Sequence, residues 1–361
     1  SRKIAKKLHE DVAFRLLAAG NYPAHRTICD FRALHLKELS DLFVQVVKLA
    51  QECGLVRLGT IAVDGSKIKA NASRHKAMSY KRMLQAETEL KAQIEGLLER
   101  AGKADADERD EPDVDLPSEI ARREDRLAVI KAARARLEAR QRKIDEECGR
   151  RPDDGRQPRH PDGSPRRGGK FKRDFGIPDE KDQESFTDPE SRIMKHSSGA
   201  FEQSYNGYTA VDAEHQIIVA AELTNCAADS NRLPGMIEAV RDNLDALPAQ
   251  ALADAGFRGE ESLQELSGLP CNVIVALGRE GRENVSVNAD KYPHTAAMAE
   301  RLRSDQGKAA YRRRKAIVEP PNGWIKAVMG FRQFSLRGLE KVGAEWKMVC
   351  MALNLRRMAY L

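Results

Sequence analysis

The chain has 361 residues, of which 41% are apolar, 32% are charged and 5% are aromatic. This composition predicts one main hydrophobic core together with a charged appendage of solvated helix. The formal net charge of +6 favours an anionic partner only weakly, so the clustering of the charges along the chain carries more information than their sum.

The six cysteines are scattered without a CxxC pair or a Cys/His ligand spacing. This pattern argues against a zinc site and against a disulfide framework, and it favours a reducing compartment. No apolar run approaches the roughly 20 residues that cross a bilayer, and no signal-peptide pattern opens the chain. We therefore predict a cytoplasmic protein without a membrane partner.

Residues 1–58 have a helical pattern. An apolar stripe predicts one helix over Lys3–Ala19, which Pro23 ends, and a second helical region begins near Thr27 and stops at Gly54. The second region also fits two helices that meet around 36–40. Short helices of this kind are either a helix-turn-helix reader of DNA or plain packing helices, and both interpretations stay open.

The next element is a compact β-branched run, Thr60–Val63, which predicts a buried strand. Asp64 follows at its polar end and Gly65 comes directly after. A carboxylate at the end of a rigid strand projects into a cleft, as a metal ligand does. The alternative is an ordinary Asp-Gly turn.

Residues 73–148 differ in character from the flanking segments. Two amphipathic helical patterns, Met83–Leu98 and Ile120–Ile144, are separated by an acidic segment at 105–115. These patterns predict an antiparallel helical hairpin with little core of its own, used as an interaction arm or spacer.

Residues 149–197 are rich in Gly, Pro and Arg, with nine Lys or Arg between Arg150 and Arg173. This composition predicts a flexible basic linker that contacts phosphates without specificity. We expect ordered structure to resume through turns over Ser185–Met194.

The following segment alternates between strand and helix patterns. The predicted elements are a β-hairpin of Phe201–Val211 and Gln216–Thr224, a helix over Leu233–Leu244, a strand over Ala249–Ala253, a helix over Glu260–Leu266 and a strand over Cys271–Leu277. Asp254 and Gly256 follow the third of these strands, so this segment repeats the arrangement at Asp64. The alternative role of Asp254 is a helix N-cap.

The stretch from Arg301 to Arg337 contains ten Lys or Arg against two acidic residues, Asp305 and Glu319. Such a surface attracts a polyanion while one carboxylate stays available for a metal ion, a combination that suggests phosphodiester chemistry. The alternative is a solvated basic helix in which Glu319 pairs with neighbouring cations.

The order of these elements predicts an α/β fold, a ribonuclease H-like mixed sheet of five strands with flanking helices. In such a sheet the first and fourth strands lie side by side, which brings Asp64 and Asp254 together, and a later helix delivers Glu319. Three carboxylates from separate elements suit two hard divalent cations.

Three motifs in this order carry a resemblance to a known family. They are Ala62-Val-Asp64-Gly-Ser, Ala253-Asp254-Ala-Gly-Phe, and Tyr311-x2-Arg314-x4-Glu319-x6-Lys326. The chain resembles the DDE transposases of bacterial insertion sequences that carry a Tyr-Arg-Glu-Lys signature. The helical start and the segment from Gly330 to Val342 are also similar to that family, so the resemblance covers nearly the whole chain.

The signature differs from the usual one at three places. Four residues instead of three separate Arg314 from Glu319, so Lys315 is an alternative for the arginine position. Asn322 stands where relatives carry an aromatic residue. The pair Pro320-Pro321 predicts that the helix kinks or restarts just after Glu319.

The resemblance implies metal-dependent phosphoryl transfer. Asp64, Asp254 and Glu319 would hold Mg2+, with Mn2+ as the substitute, to activate water or a 3'-hydroxyl. The implied DNA contacts are Tyr311, Arg314, Trp324, Lys326, Arg332 and Arg337. For Trp324, which would stack on an unstacked base, the alternative is a core aromatic.

The implied partner is double-stranded DNA, both the terminal inverted repeats and the target, with a homodimer in synapsis at the bacterial nucleoid. The implied domains are a truncated helical DNA-binding region at 1–58, a catalytic domain at 59–72 and 198–361, the helical insertion at 73–148 and the linker at 149–197. The alternatives are a non-transposing nuclease of the same fold and a catalytically silent DNA-binding remnant.

Overall fold

The computed structural model describes residues 1–73, 76–106, 116–158, 164, 169–278 and 287–361, and for 101–106 the backbone alone. These residues form two compact units. The first comprises Ser1–Asn71 and Ser204–Leu361, and the second comprises Ala72–Gln203. Within the described ranges, no helix combines the length and the apolar character needed to cross a membrane.

The described residues form eight strands. They are β1 (Thr60–Lys69), β2 (Ala77–Ser79), β3 (Gln183–Ser185), β4 (Arg192–Lys195), β5 (Phe201–Asp212), β6 (Ile218–Thr224), β7 (Gln250–Ala253) and β8 (Asn272–Val275).

The same residues form twelve α-helices. They are α1 (Arg2–Glu10), α2 (Val12–Leu17), α3 (His25–Leu34), α4 (Leu36–Glu52), α5 (Tyr80–Ala106), α6 (Leu116–Glu147), α7 (Leu233–Leu244), α8 (Glu260–Ser267), α9 (Pro293–Arg303), α10 (Asp305–Arg312), α11 (Arg314–Gly323) and α12 (Leu339–Met358).

The N-terminal region is helical, as predicted, although it is divided differently. The single helix predicted over Lys3–Ala19 is wrong, because Asp11 is extended and its carboxylate caps α2 by accepting a hydrogen bond from the Ala13 amide (3.0 Å). The predicted division of the second region is confirmed, with the break at His35. Helix α4 packs on α7 and α12, and the helix-turn-helix interpretation stays a prediction.

The sheet of the first unit has the order β6-β5-β1-β7-β8. Strands β1, β7 and β8 run parallel, while β5 is antiparallel to both β1 and β6. The predicted pairing of the first and fourth strands of this sheet is therefore confirmed, and so is the ribonuclease H-like mixed α/β fold. Strand β4, which belongs to the second unit, forms a hairpin with the start of β5, in a segment for which we predicted turns.

Strand β1 is longer than predicted. It continues to Lys69 and pairs with β5 along this extension, so that Asp64 lies opposite Thr209 and Gly65 lies opposite Tyr208. The alternative of an Asp-Gly turn is therefore wrong, because both residues are extended inside a strand.

The core of the first unit is built on both faces of the sheet. Residues 61–63 of β1 are completely buried, since helices cover the sheet on each side. Helix α12 is fixed by Trp346, which donates from Nε1 to the Tyr208 carbonyl (3.1 Å), and a Cβ at Gly207 would lie 2.8 Å from the same ring. Asn354 bonds both the amide and the carbonyl of Ile218.

The second unit contains the predicted helical hairpin. Helices α5 and α6 are antiparallel, as shown by contacts between Gln93 and Arg123 (3.1 Å) and between Glu87 and Arg134 (3.1 Å). Residues 107–115 of the acidic segment lie outside the described residues. Contrary to the prediction, the hairpin has a core of its own, formed by Tyr80, Met83, Leu90, Leu127, Ile130, Ala133 and Leu137.

Part of the segment predicted to be a flexible linker is anchored to α6. Asp145 is buried there, and its carboxylate lies 3.2 Å from Arg150 Nη1 and 3.5 Å from Arg173 Nη2. It also accepts a hydrogen bond from the Gly176 amide (2.9 Å). Residues 159–163 and 165–168 of this segment lie outside the described residues.

Candidate active site

Asp64 and Asp254 come from two adjacent parallel strands. Val63 of β1 is in register with Ala253 of β7, so the two aspartates occupy equivalent next positions. Asp254 also begins a short 3₁₀ turn by accepting a hydrogen bond from the Gly256 amide (2.9 Å), so it is an N-cap as well. The sheet topology therefore places two carboxylates next to each other.

The environment of Asp64 disfavours its negative charge. Burial and then the neighbouring charge of Asp254 raise the pKa of Asp64 to about 6 from 3.8, against the opposing effects of Arg314 and of hydrogen bonds from Gly65 and Asn322. A buried carboxylate beside a like charge gains from any cation that binds between them. This pair is therefore electrostatically suited to a hard divalent cation, with oxygen donors of the preferred type.

One face of α11 and of the turn after it is directed at Asp64. Arg314, Asn322 and Lys326 are spaced eight and four residues apart, which places them on the same helical face. Arg314 Nη1 lies 3.9 Å from Asp64 Oδ1, and Asn322 Nδ2 donates to Asp64 Oδ2 (3.4 Å). Burial lowers the pKa of Lys326, and the charge of Asp64 opposes this effect.

Arg314 is a buried cation with unsatisfied donors. Its side chain is only 9% exposed, and its Nε and Nη1 have no hydrogen-bond partner in the described part of the chain. The guanidinium lies over the ring of Tyr311 at 5.9 Å. Because buried donors without partners are costly, an anion entering beside Asp64 would satisfy them.

Glu319 lies on α11 but is exposed. Among the described residues, no group of three or more His, Cys, Asp or Glu side chains is close enough to hold a metal ion together. The structure thus brings Asp64 and Asp254 together and leaves Glu319 apart from them.

The helix continues through the proline pair, so of the predicted kink or restart after Glu319 the restart is wrong, and the kink stays a prediction. α11 extends to Gly323 and then widens into a π-helical turn over Trp324–Val328. Pro320 has no N–H to offer the Ala316 carbonyl, which instead accepts a hydrogen bond from Gln216 Nε2 (2.7 Å). A side chain from the turn between β5 and β6 thus replaces the helical hydrogen bond that Pro320 removes.

The remaining residues predicted to contact DNA lie around this helix. Trp324 is 36% exposed, with the Arg356 guanidinium 4.9 Å from its ring centre, so its alternative role as a core aromatic is wrong. Arg332 donates from Nε to the Lys326 carbonyl (3.2 Å). Arg337 donates from Nε to the Asn71 carbonyl (2.8 Å), and both arginines are exposed.

Sequence reasoning missed the role of Asn322, which it noted only as a departure from the usual aromatic. Asn322 is buried, accepts a hydrogen bond from the Thr209 hydroxyl (3.2 Å) and donates to Asp64. It therefore connects α11 to β5 and β1. The signal that could have revealed this role is the spacing of eight residues between Arg314 and Asn322, which is compatible with a shared helical face.

Comparison with curated proteins gave no significant match, and comparison with solved structures gave none either. A family model described as the transposase DDE domain matches residues 162–355, which is more than half of the chain. The matched range includes Asp254, Arg314, Glu319 and Lys326, whereas β1 with Asp64 precedes it. With the ribonuclease H-like sheet and the paired aspartates, this match shows that the chain belongs to the transposase DDE domain family.

Proposed function

We propose that this protein cleaves and joins DNA strands at the ends of an insertion sequence, by metal-dependent phosphoryl transfer. The observation that supports this proposal is the proximity of opposite charges at Asp64. Asp64 and Asp254 provide carboxylates for a cation, and the buried Arg314 provides unsatisfied donors for an anion. A phosphodiester bound with a divalent cation satisfies both.

Asp64 and Asp254 would hold the divalent cation, Mg2+ or Mn2+, and Glu319 is the proposed third carboxylate. Divalent cations bound at such a site activate water or a 3'-hydroxyl as the nucleophile and stabilise the leaving oxygen. The Asn322 amide orients Asp64 through the bond to Oδ2. Arg314 would bind a phosphate oxygen beside the scissile bond.

The DNA would extend along the basic surface of the same helix. Tyr311 and Lys326 are the proposed phosphate contacts near the site, and Arg332 and Arg337 extend the contact. Trp324, which is partly exposed, is the proposed residue that stacks on an unpaired base. The proposed partner is double-stranded DNA bound by a homodimer that holds two ends, in the cytoplasm at the nucleoid.

The direct test is strand cleavage of DNA that carries the element's terminal repeats, in Mg2+ and in EDTA. We expect Asp64→Asn and Asp254→Asn to abolish cleavage while DNA binding, measured by gel shift, persists. Asp242→Asn, which changes an exposed carboxylate of α7, is the matched control. Cleavage retained in either site variant would contradict the assignment.

The wild-type chain in the same assay separates the alternatives. Equal cleavage of DNA with and without the terminal repeats would indicate a non-transposing nuclease. Binding of the repeats without any cleavage in Mg2+ or Mn2+ would indicate a silent DNA-binding remnant.

A further inference from the structure

The loop between β6 and α7 places a third aspartate, Asp229, behind the candidate site. Successive strand residues point to opposite faces of a sheet, so Gly65 faces away from the side on which Asp64 meets α11. On this opposite face, Asp229 Oδ1 accepts hydrogen bonds from the Tyr208 hydroxyl (2.9 Å) and from Asn206 Nδ2 (2.7 Å). Asp229 is therefore held by β5 and is not a ligand beside Asp64.

The carboxylate of Asp229 fits closely against two glycines. A Cβ on Gly65 would lie 3.0 Å from Asp229 Oδ1, and a Cβ on Gly256 would lie 2.9 Å from Asp229 Oδ2. Gly65 directly follows Asp64, and Gly256 is the second residue after Asp254. One carboxylate thus contacts the backbone that carries each aspartate of the site, and glycine at both positions makes room for it.

The partners of Asp229 are fixed in turn. Tyr208 and Asn206 are 2% and 1% exposed. Burial, followed by the charge of Asp229, raises the pKa of the Tyr208 hydroxyl, which keeps this hydroxyl protonated as a donor. Nearby, Asn231 has a positive φ of 62°, and its Oδ1 occupies the space where Gly259 would carry a Cβ. The loop therefore fits the segment after Asp254 at two points.

We propose that Asp229 is a positioning residue that sets the separation of Asp64 and Asp254 and thereby the affinity of the site for a divalent cation. Its two oxygens contact the two backbone segments, and Tyr208 and Asn206 prevent it from moving away. The inference rests on the proposed function, because it assumes that Asp64 and Asp254 hold the cation together.

The test measures Mn2+ binding to the full chain without DNA, by calorimetry and by the electron paramagnetic resonance of free Mn2+. We expect Asp229→Ala to weaken Mn2+ binding about tenfold, as is typical when a residue behind the ligands is removed, with an unchanged circular dichroism spectrum. Asp229→Asn keeps the shape and the acceptor for Tyr208 and is expected to retain most of the affinity. If Asp229→Asn binds as weakly as Asp229→Ala, the charge and not the position matters, and the proposal is overturned.

Gly256→Ala provides an independent test that leaves Asp229 in place. The added methyl group would lie 2.9 Å from Asp229 Oδ2 and 3.0 Å from Asp254 Oδ1, so we expect weaker Mn2+ binding in this variant, in part through Asp229. When Gly256→Ala is combined with Asp229→Ala, the loss of affinity should be smaller than the sum of the two single losses, since the two changes share the contact with Asp229. Additive losses in the double variant, or wild-type affinity of both single variants, would refute the proposal. Should Asp229→Ala fail to fold, Gly65→Ala, whose added methyl group would lie 3.0 Å from Asp229 Oδ1, takes its place with the same expected loss, and wild-type affinity in Gly65→Ala would refute the proposal.

Asp64→Asn in the same assay separates this inference from the proposed function. If Asp64→Asn binds Mn2+ like the wild type, the cation site itself is misassigned. If Asp64→Asn loses binding while Asp229→Ala and Gly256→Ala keep it, only the positioning role of Asp229 is wrong. Asp242→Ala, an exposed aspartate on α7, controls for the loss of one negative charge.

Discussion

Replacement of Asp64 by asparagine is expected to stabilise the metal-free protein while it abolishes cleavage. The pKa of Asp64 is raised from 3.8 to about 6 by burial and by Asp254. Because this folded-state pKa is above the unfolded value, the stability that the Asp64 carboxyl contributes is full below pH 3.8 and is lost as the pH rises through 6. The difference between the folded and unfolded pKa values of Asp64 corresponds to a loss of about 3 kcal/mol in the free energy of unfolding at neutral pH and above. This is an upper value, because the Asp64 side chain is 24% exposed.

The assay is urea unfolding of the wild type and of Asp64→Asn in EDTA, at several pH values between 4 and 8. Asparagine is neutral throughout, so the free energy of unfolding of the variant should rise relative to that of the wild type as the pH increases, by up to about 3 kcal/mol. Asp242→Asn, which removes an exposed carboxylate, is the control. A difference between Asp64→Asn and the wild type that stays constant from pH 4 to pH 8 would refute the electrostatic argument.

Three further expectations follow from contacts around the site and in the second unit. Arg314→Met removes the cation that lowers the pKa of Asp64. In EDTA it should therefore destabilise the chain by about 1 kcal/mol more at pH 8 than at pH 4. In a chain that already carries Asp64→Asn, the effect of Arg314→Met should not depend on pH. Asn322→Ala leaves a buried threonine hydroxyl without its partner and should cost about 1 to 3 kcal/mol in urea unfolding; an unchanged midpoint would contradict this. Arg140→Ala removes one of two arginines that hold the fully buried Glu184 and should cost about 2 kcal/mol, seen as faster hydrogen exchange in residues 72–203 and not elsewhere.

The adjacency of Asp64 and Asp254 was predictable because chain order restricts how strands pair. The order of a strand, a hairpin, a helix and a further strand matches the ribonuclease H-like fold, in which the first and fourth strands can lie side by side, and β1 and β7 are paired in this way. The extension of β1 to Lys69 was not predictable from local pattern. Gly65 and Ser66 are residue types common in turns, and Lys67 is polar. They form a strand because they pair with β5.

The polar contacts of the site depend on distant parts of the chain, which explains why the sequence did not reveal them. Asn322 and Asp64 are 258 positions apart, and Gln216 reaches the Ala316 carbonyl across 100 positions. The latter bond satisfies the carbonyl that Pro320 leaves without its helical partner, while α11 continues through both prolines against their local propensity. Asp229 likewise has no motif of its own, and its proposed role rests on its closeness to two glycines from other parts of the chain.

The exposed position of Glu319 agrees with the electrostatics that raise the pKa of Asp64. Without a cation, a third carboxylate between Asp64 and Asp254 would add repulsion to a pair that is already disfavoured, whereas Arg314 beside Asp64 reduces it. Glu319→Gln should therefore leave the stability of the metal-free protein at pH 8 unchanged, unlike Asp64→Asn, and should still lower cleavage in Mg2+. If the Glu319→Gln variant cleaves DNA like the wild type, the third metal ligand is another group. If Glu319→Gln stabilises the metal-free chain as Asp64→Asn does, Glu319 already lies beside the two aspartates before the cation binds.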